Sequence, residues 1–504
     1  MERFDAVTIG SGLGGLTAAA ALARTGRRVL VVEKLANIGG AATVYRHGNL
    51  TMEASLHETD GATLLGADGP IRRLGLSDVV EGVPTKIFYT VRGGPLEEPV
   101  RIPHGLDAAA TALRSRFPDR AGRIDGLFAR LRDCQSFATS DGPGRGQARG
   151  LLGMLLEAPR TAAQSLSRHL GDHEALKCIV GAPIAYFDDD PEKLSALLYL
   201  SVWAAYTETG SYYIRGGSRS LSLALARVIK DAGGQVRTRC RVDGVMLAPG
   251  GEAVGIVYTD HLGARHEALA PVIFGNAAPF ALADLVPGPA RQRLLARDAR
   301  YEPSISLFVV SLGLSRPASD FGIDSFSTFV YPKGFTRFTD YPSAAARFGA
   351  EPGGALPPYV IADYGRLDTG LRQEGDQHLL TLTGVDNLSW WLKLGEAEEK
   401  ERRQRWIEAL IADLERSYPG LAGAVMHAEM ANARTMRSRL GTPRGEVYGY
   451  RPTPRRFFAR PPGPKSPVKG LYYASAYTVS GGYAGAMRGG LMAADAVLGQ
   501  TRSP

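Results

Sequence analysis

The first residues in the chain whose types and spacing suggest chemistry are glycines. Gly10, Gly12 and Gly15 form the pattern GxGxxG between the apolar run FDAVTIG and the helix-forming run LTAAAALART. Gly10 permits a tight turn, Gly12 lets the backbone approach a pyrophosphate, and Gly15 lets the helix pack on the strand. Glu33 ends the next strand, 23 residues after Gly10, where a carboxylate accepts hydrogen bonds from ribose hydroxyls. The pattern predicts a dinucleotide-binding βαβ unit.

Two further groups of glycines lie outside this unit. Gly39 and Gly40 follow it closely, where backbone can pass near the ribityl portion of a flavin. Gly481, Gly482 and Gly485 lie before a C-terminal helix whose N–H groups can face a flavin pyrimidine. An enzyme that uses only NAD, as a dissociable co-substrate, needs neither group of glycines. The sequence therefore predicts FAD as the cofactor.

The route of the electrons is left open by the motifs. No second GxGxxG follows a strand, because the run GPGRG at 142–146 lacks both the strand and the spacing. A dedicated nicotinamide-binding domain is therefore not predicted. Electrons would pass to or from an external partner such as oxygen, a quinone or a reduced nicotinamide, or there would be no net transfer, as in an isomerase.

Four segments together carry a resemblance to a known family. They are the opening VTIGSGLGGLTAAAALARTGRRVLVVEK, the glycine pair at 39–40, the segment YYIRGGSRSLSLALARVIKDAGGQVRTRCRVDGV, and the closing GLYYASAYTVSGGYAGAMRGGLMAADAVL. The chain resembles the phytoene desaturase, carotenoid isomerase and retinol saturase group of flavoproteins, within the amine-oxidase-like class. The resemblance covers about a third of the chain and implies an α/β fold: a Rossmann-like FAD-binding fold built from two dinucleotide-binding domains, a mixed-sheet substrate domain and a helical insertion.

The resemblance also assigns cofactor contacts to positions of this chain. Val242 would lend backbone hydrogen bonds to adenine, and Ala486 and Met487 would lie at a helix start beneath the flavin. The adenosine and pyrophosphate side would be held by Gly10, Gly12, Gly15, Glu33, Lys34 and Gly40. The remaining cofactor-binding candidates are Gly14, Gly39, Ala41, Ser475, Gly482 and Gly485.

The chain departs from the desaturase pattern in three places. Ala41 and Ala42 follow the glycine pair where carotenoid desaturases usually have a basic residue, and Ile214 replaces the usual proline before Arg215. The run at 474–476 (ASA) lacks the family's aspartate-like contact. These departures favour the isomerase and saturase branch over a plain phytoene desaturase.

Three residues are candidates for catalysis. His57 ends a stretch similar to the saturase-type segment near the flavin, where a near-neutral pKa would suit proton transfer. A hydrogen-bonded structural histidine is the alternative. Tyr213 and Arg215 precede a glycine pair and could flank a substrate entrance, although an arginine in this position is as often a surface residue.

The coarse pattern of strands and helices divides the chain into five segments. FAD-binding parts are predicted at 1–105, 212–295 and 441–504, a helical insertion at 106–211, and a substrate domain at 296–440. The insertion is a possible region of substrate entry or membrane contact. Its apolar run at 197–206, with Trp203 and Tyr206, is a candidate lining for an apolar tunnel or a buried core helix.

The composition indicates neither a disordered protein nor a polytopic membrane protein. Hydrophobic residues make up 44% and charged residues 22% of the 504 residues, as in ordinary globular proteins. Cys134, Cys178 and Cys240 lie far apart without histidines at ligand spacing, so neither disulfides nor a metal site is expected. With no secretory signal recognised, a cytoplasmic protein is predicted.

The charge pattern indicates whether nucleic acid or a membrane surface is an expected partner. The net charge is +8, but no block of basic residues is interleaved with aromatics, so nucleic acid binding is not expected. No apolar run reaches the length of a spanning helix. Residues 145–168 mix apolar and basic positions, which fits either an interfacial helix at the inner face of a membrane or a helix packed on its own domain.

The sequence thus supports three hypotheses. The first is an FAD-dependent oxidoreductase that moves a hydride to or from carbon–carbon bonds of an apolar polyene, carotenoid, retinoid or terpenoid. The second is an amine-oxidase-type enzyme, with Tyr477 and Tyr483 as an aromatic pair framing the flavin. The third is a non-catalytic lipid escort on the same fold, against which the intact glycine motifs argue.

Overall fold

The fold is built around strands that are buried on both faces. The structure is a computed structural model that describes residues 1–61, 63–139, 145–371, 377–458 and 462–499. The predicted α/β class is confirmed, and the run at 142–146 that lacked the dinucleotide pattern lies mostly outside the described residues.

The strands are numbered in chain order. The first ten are β1 (Glu2–Arg3), β2 (Ala6–Ile9), β3 (Val29–Val32), β4 (Val44–His47), β5 (Leu50–Glu53), β6 (Thr59–Asp60), β7 (Gly82–Pro84), β8 (Tyr89–Gly93), β9 (Val100–Ile102) and β10 (Ser211–Ile214). They are followed by β11 (Gln235–Arg237), β12 (Arg241–Leu247), β13 (Ala253–Thr259), β14 (Arg265–Leu269), β15 (Ile273–Gly275), β16 (Ser306–Leu314), β17 (Ser327–Tyr331), β18 (Tyr359–Asp363), β19 (His378–Asp386), β20 (Val425–Ala431) and β21 (Leu471–Tyr473).

The α-helices are numbered in the same way. The first nine are α1 (Leu13–Ala23), α2 (Pro70–Arg73), α3 (Leu106–Arg116), α4 (Ala121–Thr139), α5 (Arg145–Glu157), α6 (Ala162–Leu170), α7 (Glu174–Gly181), α8 (Ala196–Thr209) and α9 (Ser218–Asp231). They are followed by α10 (Pro279–Asp284), α11 (Gly288–Asp298), α12 (Tyr341–Ala345), α13 (Glu396–Ser417), α14 (Leu421–Ala424), α15 (Ala433–Leu440), α16 (Pro454–Phe458) and α17 (Gly482–Leu498).

A parallel sheet carries the predicted dinucleotide unit. Its order among the described residues is β11-β3-β2-β15-β21, and all its pairings are parallel. Every residue of β2 and β3 is buried, which explains why these strands are continuous apolar runs without alternation. The sheet draws strands from the beginning, the middle and the end of the described chain.

Two other sheets hold most of the remaining strands of the described structure. An antiparallel meander, β12-β13-β14, pairs with β1 through a parallel contact of β14. A mixed sheet has the order β20-β16-β19-β18-β17-β8-β9, and β8 and β9 come from the segment assigned to the first FAD-binding part. Residues 106–209 supply helices α3 to α8, which pack with the aromatic side of this mixed sheet around buried Tyr89, Trp203 and Phe329.

Helices α1 and α17 meet through glycines. A Cβ added at Gly490 would lie 2.2 Å from the carbonyl oxygen of Gly14, and a Cβ at Gly14 would lie 2.4 Å from the carbonyl oxygen of Ala474. Contacts this short admit hydrogen only. The N-terminal and C-terminal nucleotide elements are therefore held at backbone contact.

Gly490→Ala tests this contact. Because the added methyl would collide with the backbone of α1, we expect the free energy of unfolding to fall by about 1–3 kcal/mol. The measurement is urea unfolding followed by circular dichroism. Gly126→Ala is the matched control, since Gly126 lies inside α4 with no atom within 4 Å of its added Cβ. That control is expected to gain about 0.5–1 kcal/mol, and a Gly490→Ala protein as stable as the wild type would refute the steric argument.

Candidate functional site

The glycine turn between β2 and α1 has the geometry of a pyrophosphate cradle. Gly10 has a φ of +89°, and its N–H donates to the carbonyl oxygen of Val32 at 2.8 Å. A Cβ at Gly12 would lie 2.6 Å from Nδ2 of Asn276, and a Cβ at Gly15 would lie 2.6 Å from the carbonyl oxygen of Gly10. Gly12 caps α1 without any side-chain hydrogen bond, which leaves the first N–H groups of the helix to an anion.

The carboxylate of Glu33 lies beside this turn and can accept further hydrogen bonds. Its Oε2 accepts hydrogen bonds from the N–H and Oγ of Ser11 at 2.9 and 2.7 Å, and its Oε1 accepts from the N–H of Leu35 at 2.8 Å. An ionised carboxylate has about four lone-pair sites, so the group can still accept from a ribose hydroxyl. Lys34, the next residue, is exposed. The cradle and this carboxylate fit the adenosine and pyrophosphate half of FAD.

The second glycine pair folds back onto the first turn. Gly39 and Gly40 have φ values of +107° and +61°, and the N–H of Gly39 donates to the carbonyl oxygen of Ser11 at 2.9 Å. A Cβ at Gly40 would lie 3.3 Å from the Cα of Gly12. The two glycine turns predicted to bind one cofactor are therefore in contact.

Ala41 connects this loop to the C-terminal helix. Its carbonyl oxygen accepts a hydrogen bond from Oγ of Ser55 at 2.8 Å, and the same Oγ lies 2.7 Å from the hydroxyl of Tyr483 in α17. The N-terminal loop and the C-terminal helix thus share one hydroxyl network on the flavin side of the predicted site.

The start of α17 differs from the expected one. The helix begins at Gly482, so its free N–H groups belong to residues 482–485, and those of Ala486 and Met487 lie inside the helix. The Met487 side chain is fully buried in the core. The expectation that Ala486 and Met487 form the helix start is wrong. Gly482 and Gly485 are the predicted flavin-side candidates in the first turn.

Ser475 and Val242 belong to different nucleotide elements. The Cα of Ser475 would be 2.9 Å from a Cβ at Gly14, so the 474–476 loop packs on the first turn of α1. Val242 lies in β12, an edge strand of its sheet, and the N–H of Cys240 just before it donates to the carbonyl oxygen of Glu33 at 2.8 Å. This places Val242 near the predicted adenosine side, and its contact with adenine stays a prediction.

His57 bridges two parts of the fold. Its Nδ1 lies 3.0 Å from the hydroxyl of Tyr186 in the helical segment, and its Nε2 lies 3.3 Å from Oγ1 of Thr383 in β19. Desolvation by the surrounding protein lowers the pKa of His57 to about 4. The expectation of a near-neutral pKa is therefore wrong, and the ring is neutral at pH 7.

Tyr213 is a buried anchor. It is fully buried and donates a hydrogen bond to Oε2 of Glu53 at 3.0 Å, while the N–H of Ser218 donates to the same oxygen at 2.9 Å. Burial raises the pKa of Glu53, and its hydrogen bonds act in the opposite direction. The expectation that Tyr213 flanks a substrate entrance is wrong, because a strand residue so enclosed has no open face.

Arg215 points to the surface. It forms ion pairs with Glu81 at 2.7 Å and with Asp368 at 2.5 Å, and these partners raise the pKa of its guanidinium. Both carboxylates are well exposed. Arg215 therefore occupies a surface position, as the alternative interpretation expected. No hydrogen bond or ion pair in the described structure joins it to His57 or Tyr213.

Glu58 was missed by sequence reasoning. Among the described residues its Oε2 has no hydrogen-bond partner although water is excluded from it, and desolvation raises the pKa of the carboxyl to about 8. The carboxyl is close enough to Tyr186, Tyr206 and Tyr364 to raise the pKa of their hydroxyls. Its position next to His57 was the one available signal.

The comparisons with known proteins agree with this geometry. Residues 13–498 match the family model described as flavin containing amine oxidoreductase. The chain is 25% identical over 548 aligned positions to the all-trans-retinol 13,14-reductase of Macaca fascicularis, covering 99% of this chain and 86% of that protein. It is 24% identical over 503 positions to the neurosporene-forming phytoene desaturase of Rhodobacter capsulatus, covering 94% and 90%.

Solved structures share the fold. An oxidoreductase from Methanosarcina mazei superimposes with a TM-score of 0.66 at 16% identity, covering 99% of this chain and 100% of the other. At this identity the likeness concerns the fold alone. The expected resemblance, the FAD cofactor and the oxidoreductase class are confirmed by the comparisons as a whole.

Gly39→Ala tests the cofactor cradle. A Cβ there would lie 2.1 Å from the carbonyl oxygen of Ala42 in a backbone with φ of +107°, so the loop must move and we expect the protein to lose most of its bound FAD. The measurement is the ratio of visible flavin absorbance to protein absorbance after purification.

The matched control is Gly26→Ala. Gly26 has a φ of +79° in the same βαβ unit, but no atom lies within 4 Å of its added Cβ. We expect it to lose about 1–2 kcal/mol of stability and to keep its FAD. Equal flavin content in the two variants would contradict the assignment of the 39–40 loop to the cofactor.

Proposed function

We propose that this chain, which belongs to the flavin containing amine oxidoreductase family, acts on carbon–carbon bonds of an apolar polyene such as a carotenoid, retinoid or terpenoid. FAD, when bound, supplies the two-electron chemistry by donating or accepting a hydride at N5. Two full-length relatives support this substrate class, since one is named for retinol and the other for phytoene.

The observation that carries the proposal is the neutral interior beside the flavin-side loops. His57 is neutral because its pKa is about 4, and Glu58 is protonated at pH 7 because its pKa is about 8. Tyr186 adds an uncharged hydroxyl whose pKa is raised further by burial. Neutral side chains at these positions suit an apolar hydrocarbon, which offers no groups to compensate a buried ion.

Glu58 is the group we assign to proton transfer. Reduction of a carbon–carbon double bond adds a hydride to one carbon and a proton to its neighbour, and desaturation removes both. A carboxylic acid with a pKa near 8 holds its proton at neutral pH and can release it to carbon in the first direction. His57 then positions Tyr186 and Thr383 by hydrogen bonds.

The two alternatives receive less support. The hydroxyl of Tyr477 donates to Oε1 of Glu446 at 2.7 Å and its ring packs edge-on against Tyr450, whereas Tyr483 faces Ser55. The two tyrosines therefore do not frame a common space for an amine. The intact glycine cradle argues against a lipid escort without FAD.

We also propose that the protein contacts a membrane surface from the cytoplasm. Among the described residues no helix is long and apolar enough to cross a bilayer. Helix α5 nonetheless exposes four leucines on one side, while buried Met154 faces the protein. The exposed residues are Leu151, Leu152, Leu155 and Leu156. Grouped exposed leucines on a chain of net charge +8 suit an anionic interface.

An external electron donor or acceptor completes the proposed turnover, since the sequence has no second dinucleotide motif after a strand. Oxygen, a quinone or a reduced nicotinamide would each serve. Oxidation of anaerobically reduced flavin by retinol, or bleaching of the oxidised flavin by phytoene, supports the proposed substrate class. Bleaching of the oxidised flavin by amines, with no response to polyenes, would overturn it.

Glu58→Gln tests the proton assignment. We expect the rate of polyene reduction by the prereduced protein to fall by roughly 100-fold with flavin content unchanged, and the wild-type rate to fall as pH rises through about 8. The measurement is stopped-flow flavin absorbance. Asp60→Asn is the control, because this nearby carboxylate accepts from both the N–H and Oγ1 of Thr63. A wild-type rate in Glu58→Gln would reject the assignment.

Glu58→Gln can also be tested through the pH dependence of the free energy of unfolding. The folded protein keeps the Glu58 proton up to about pH 8, whereas the unfolded chain loses it near the ordinary value of 4.5. The free energy of unfolding therefore falls as pH rises across this window, and Glu58→Gln is expected to reduce that loss. A melting temperature that depends on pH equally in both proteins would show that Glu58 is not buried as an acid.

Leu152→Ser with Leu155→Ser tests the membrane surface. These side chains are 58% and 56% exposed, so the fold should be retained while binding to sedimented phosphatidylglycerol vesicles falls by at least tenfold, since about 25 cal/mol is lost for each Å² of apolar burial. Leu262→Ser is the control, because Leu262 is 80% exposed but isolated at the β13–β14 turn. Equal vesicle binding by both proteins would contradict the proposal.

A further inference from the structure

The hairpin β4–β5 brings a histidine to the edge of the mixed sheet. His47 ends β4, and β20 is an edge strand of the mixed sheet in the described structure. His427 and Glu429 lie two residues apart on β20, so their side chains project from the same face. The hairpin meets the strand at this face.

The side chains of His47, His427 and Glu429 bring potential metal-ligand atoms close together. Nδ1 of His47 contacts Oε2 of Glu429, and Nε2 of His427 lies 3.9 Å from the same oxygen. One donor atom from each residue lies within 4.8 Å of the other two. The two imidazole rings are edge-on, with centroids 4.7 Å apart. Two imidazoles and one carboxylate at these separations form a donor set that zinc-class divalent cations prefer.

The carboxylate is oriented by a neighbour. The hydroxyl of Tyr45 donates a hydrogen bond to Oε1 of Glu429 at 2.8 Å, which leaves Oε2 directed at the imidazoles. A hydrogen bond of this kind, from outside the ligand set to the second oxygen of a ligating carboxylate, fixes the geometry of a metal site.

One nitrogen of the group has no partner. Nε2 of His427 is enclosed from solvent and has no hydrogen bond within the described structure, although its ring faces Glu429. Oε1 of Gln377 is likewise enclosed and unpartnered, and a Cβ at Gly313, which pairs with His427, would lie 2.6 Å from it. Enclosed polar atoms without partners are unfavourable, and a cation would satisfy the nitrogen directly.

We propose that His47, His427 and Glu429 bind a divalent cation of the zinc class, with water or the nearby Gln377 oxygen completing a four-coordinate site. The expectation of no metal site rested on the absence of close ligand spacing, but these ligands lie 382 residues apart at their extremes. The cation would clamp the 44–53 hairpin to β20 and so join a segment adjoining the flavin-side loop to the mixed sheet. The proposal does not depend on the identity of the substrate.

The test is a Zn²⁺ titration of the chelator-stripped FAD-loaded protein by isothermal calorimetry. We expect one equivalent per chain, and we expect His47→Ala and His427→Ala each to weaken binding by at least tenfold. Tyr45→Phe keeps all three ligands and is expected to weaken binding by roughly tenfold through loss of the orienting hydrogen bond. Flavin content and circular dichroism report whether each variant is folded.

The matched control is His266→Ala. His266 pairs with Asp260 at 2.7 Å and is partly exposed, as the proposed ligands are, but it belongs to no group of three candidate ligands in the described structure. Zn²⁺ should raise the melting temperature of the wild type and of His266→Ala but not of His427→Ala. Absence of stoichiometric binding to the wild type, or equal affinity in His427→Ala and the wild type, would overturn the proposal.

Discussion

The contact between α1 and α17 is the constraint on which the nucleotide site depends. At Gly490 and Gly14 the two helices approach so closely that a methyl group on Gly490 would lie 2.2 Å from the carbonyl oxygen of Gly14. The first turn of α1 presents its N–H groups to the predicted pyrophosphate, and the first turn of α17 presents its own to the predicted flavin ring. The separation of these two anion-facing helix ends is therefore set by steric contact, which is less adjustable than a hydrogen bond.

Beyond that contact, burial controls the charge of the interior. The same loss of solvation that raises the pKa of Glu58 lowers the pKa of His57, and both changes leave a neutral side chain at pH 7. Glu53 illustrates the other solution, in which a buried carboxyl is surrounded by donors from Ser218 and Tyr213. The flavin-side interior thus combines one fully hydrogen-bonded acid with one that has a free oxygen, and the second is the more suitable for chemistry.

Local sequence was sufficient to predict the dinucleotide unit, because the residues from Gly10 to Glu33 form one continuous βαβ unit. It was insufficient wherever a property depends on distant partners. The pKa of His57 reflects an environment that includes Tyr186, which lies 129 positions away in the sequence, and Thr383, which lies 326 positions away. Tyr213 lies on a short strand whose buried face cannot be identified without knowing that Glu53 lies opposite it. The start of α17 was misplaced by a few residues because several glycines there permit the same turn.

The order of strands in the parallel sheet has a consequence for biosynthesis. β2 and β3 are made before β15, which is the neighbour of β2 on its other side, and β21 and α17 are made last among the elements described. Until then the nascent N-terminal unit has an unpaired sheet edge and an uncovered glycine surface on α1, which are features that chaperones and proteases recognise. The N-terminal unit therefore acquires its last sheet neighbours and its covering helix only when the C-terminal elements have been made.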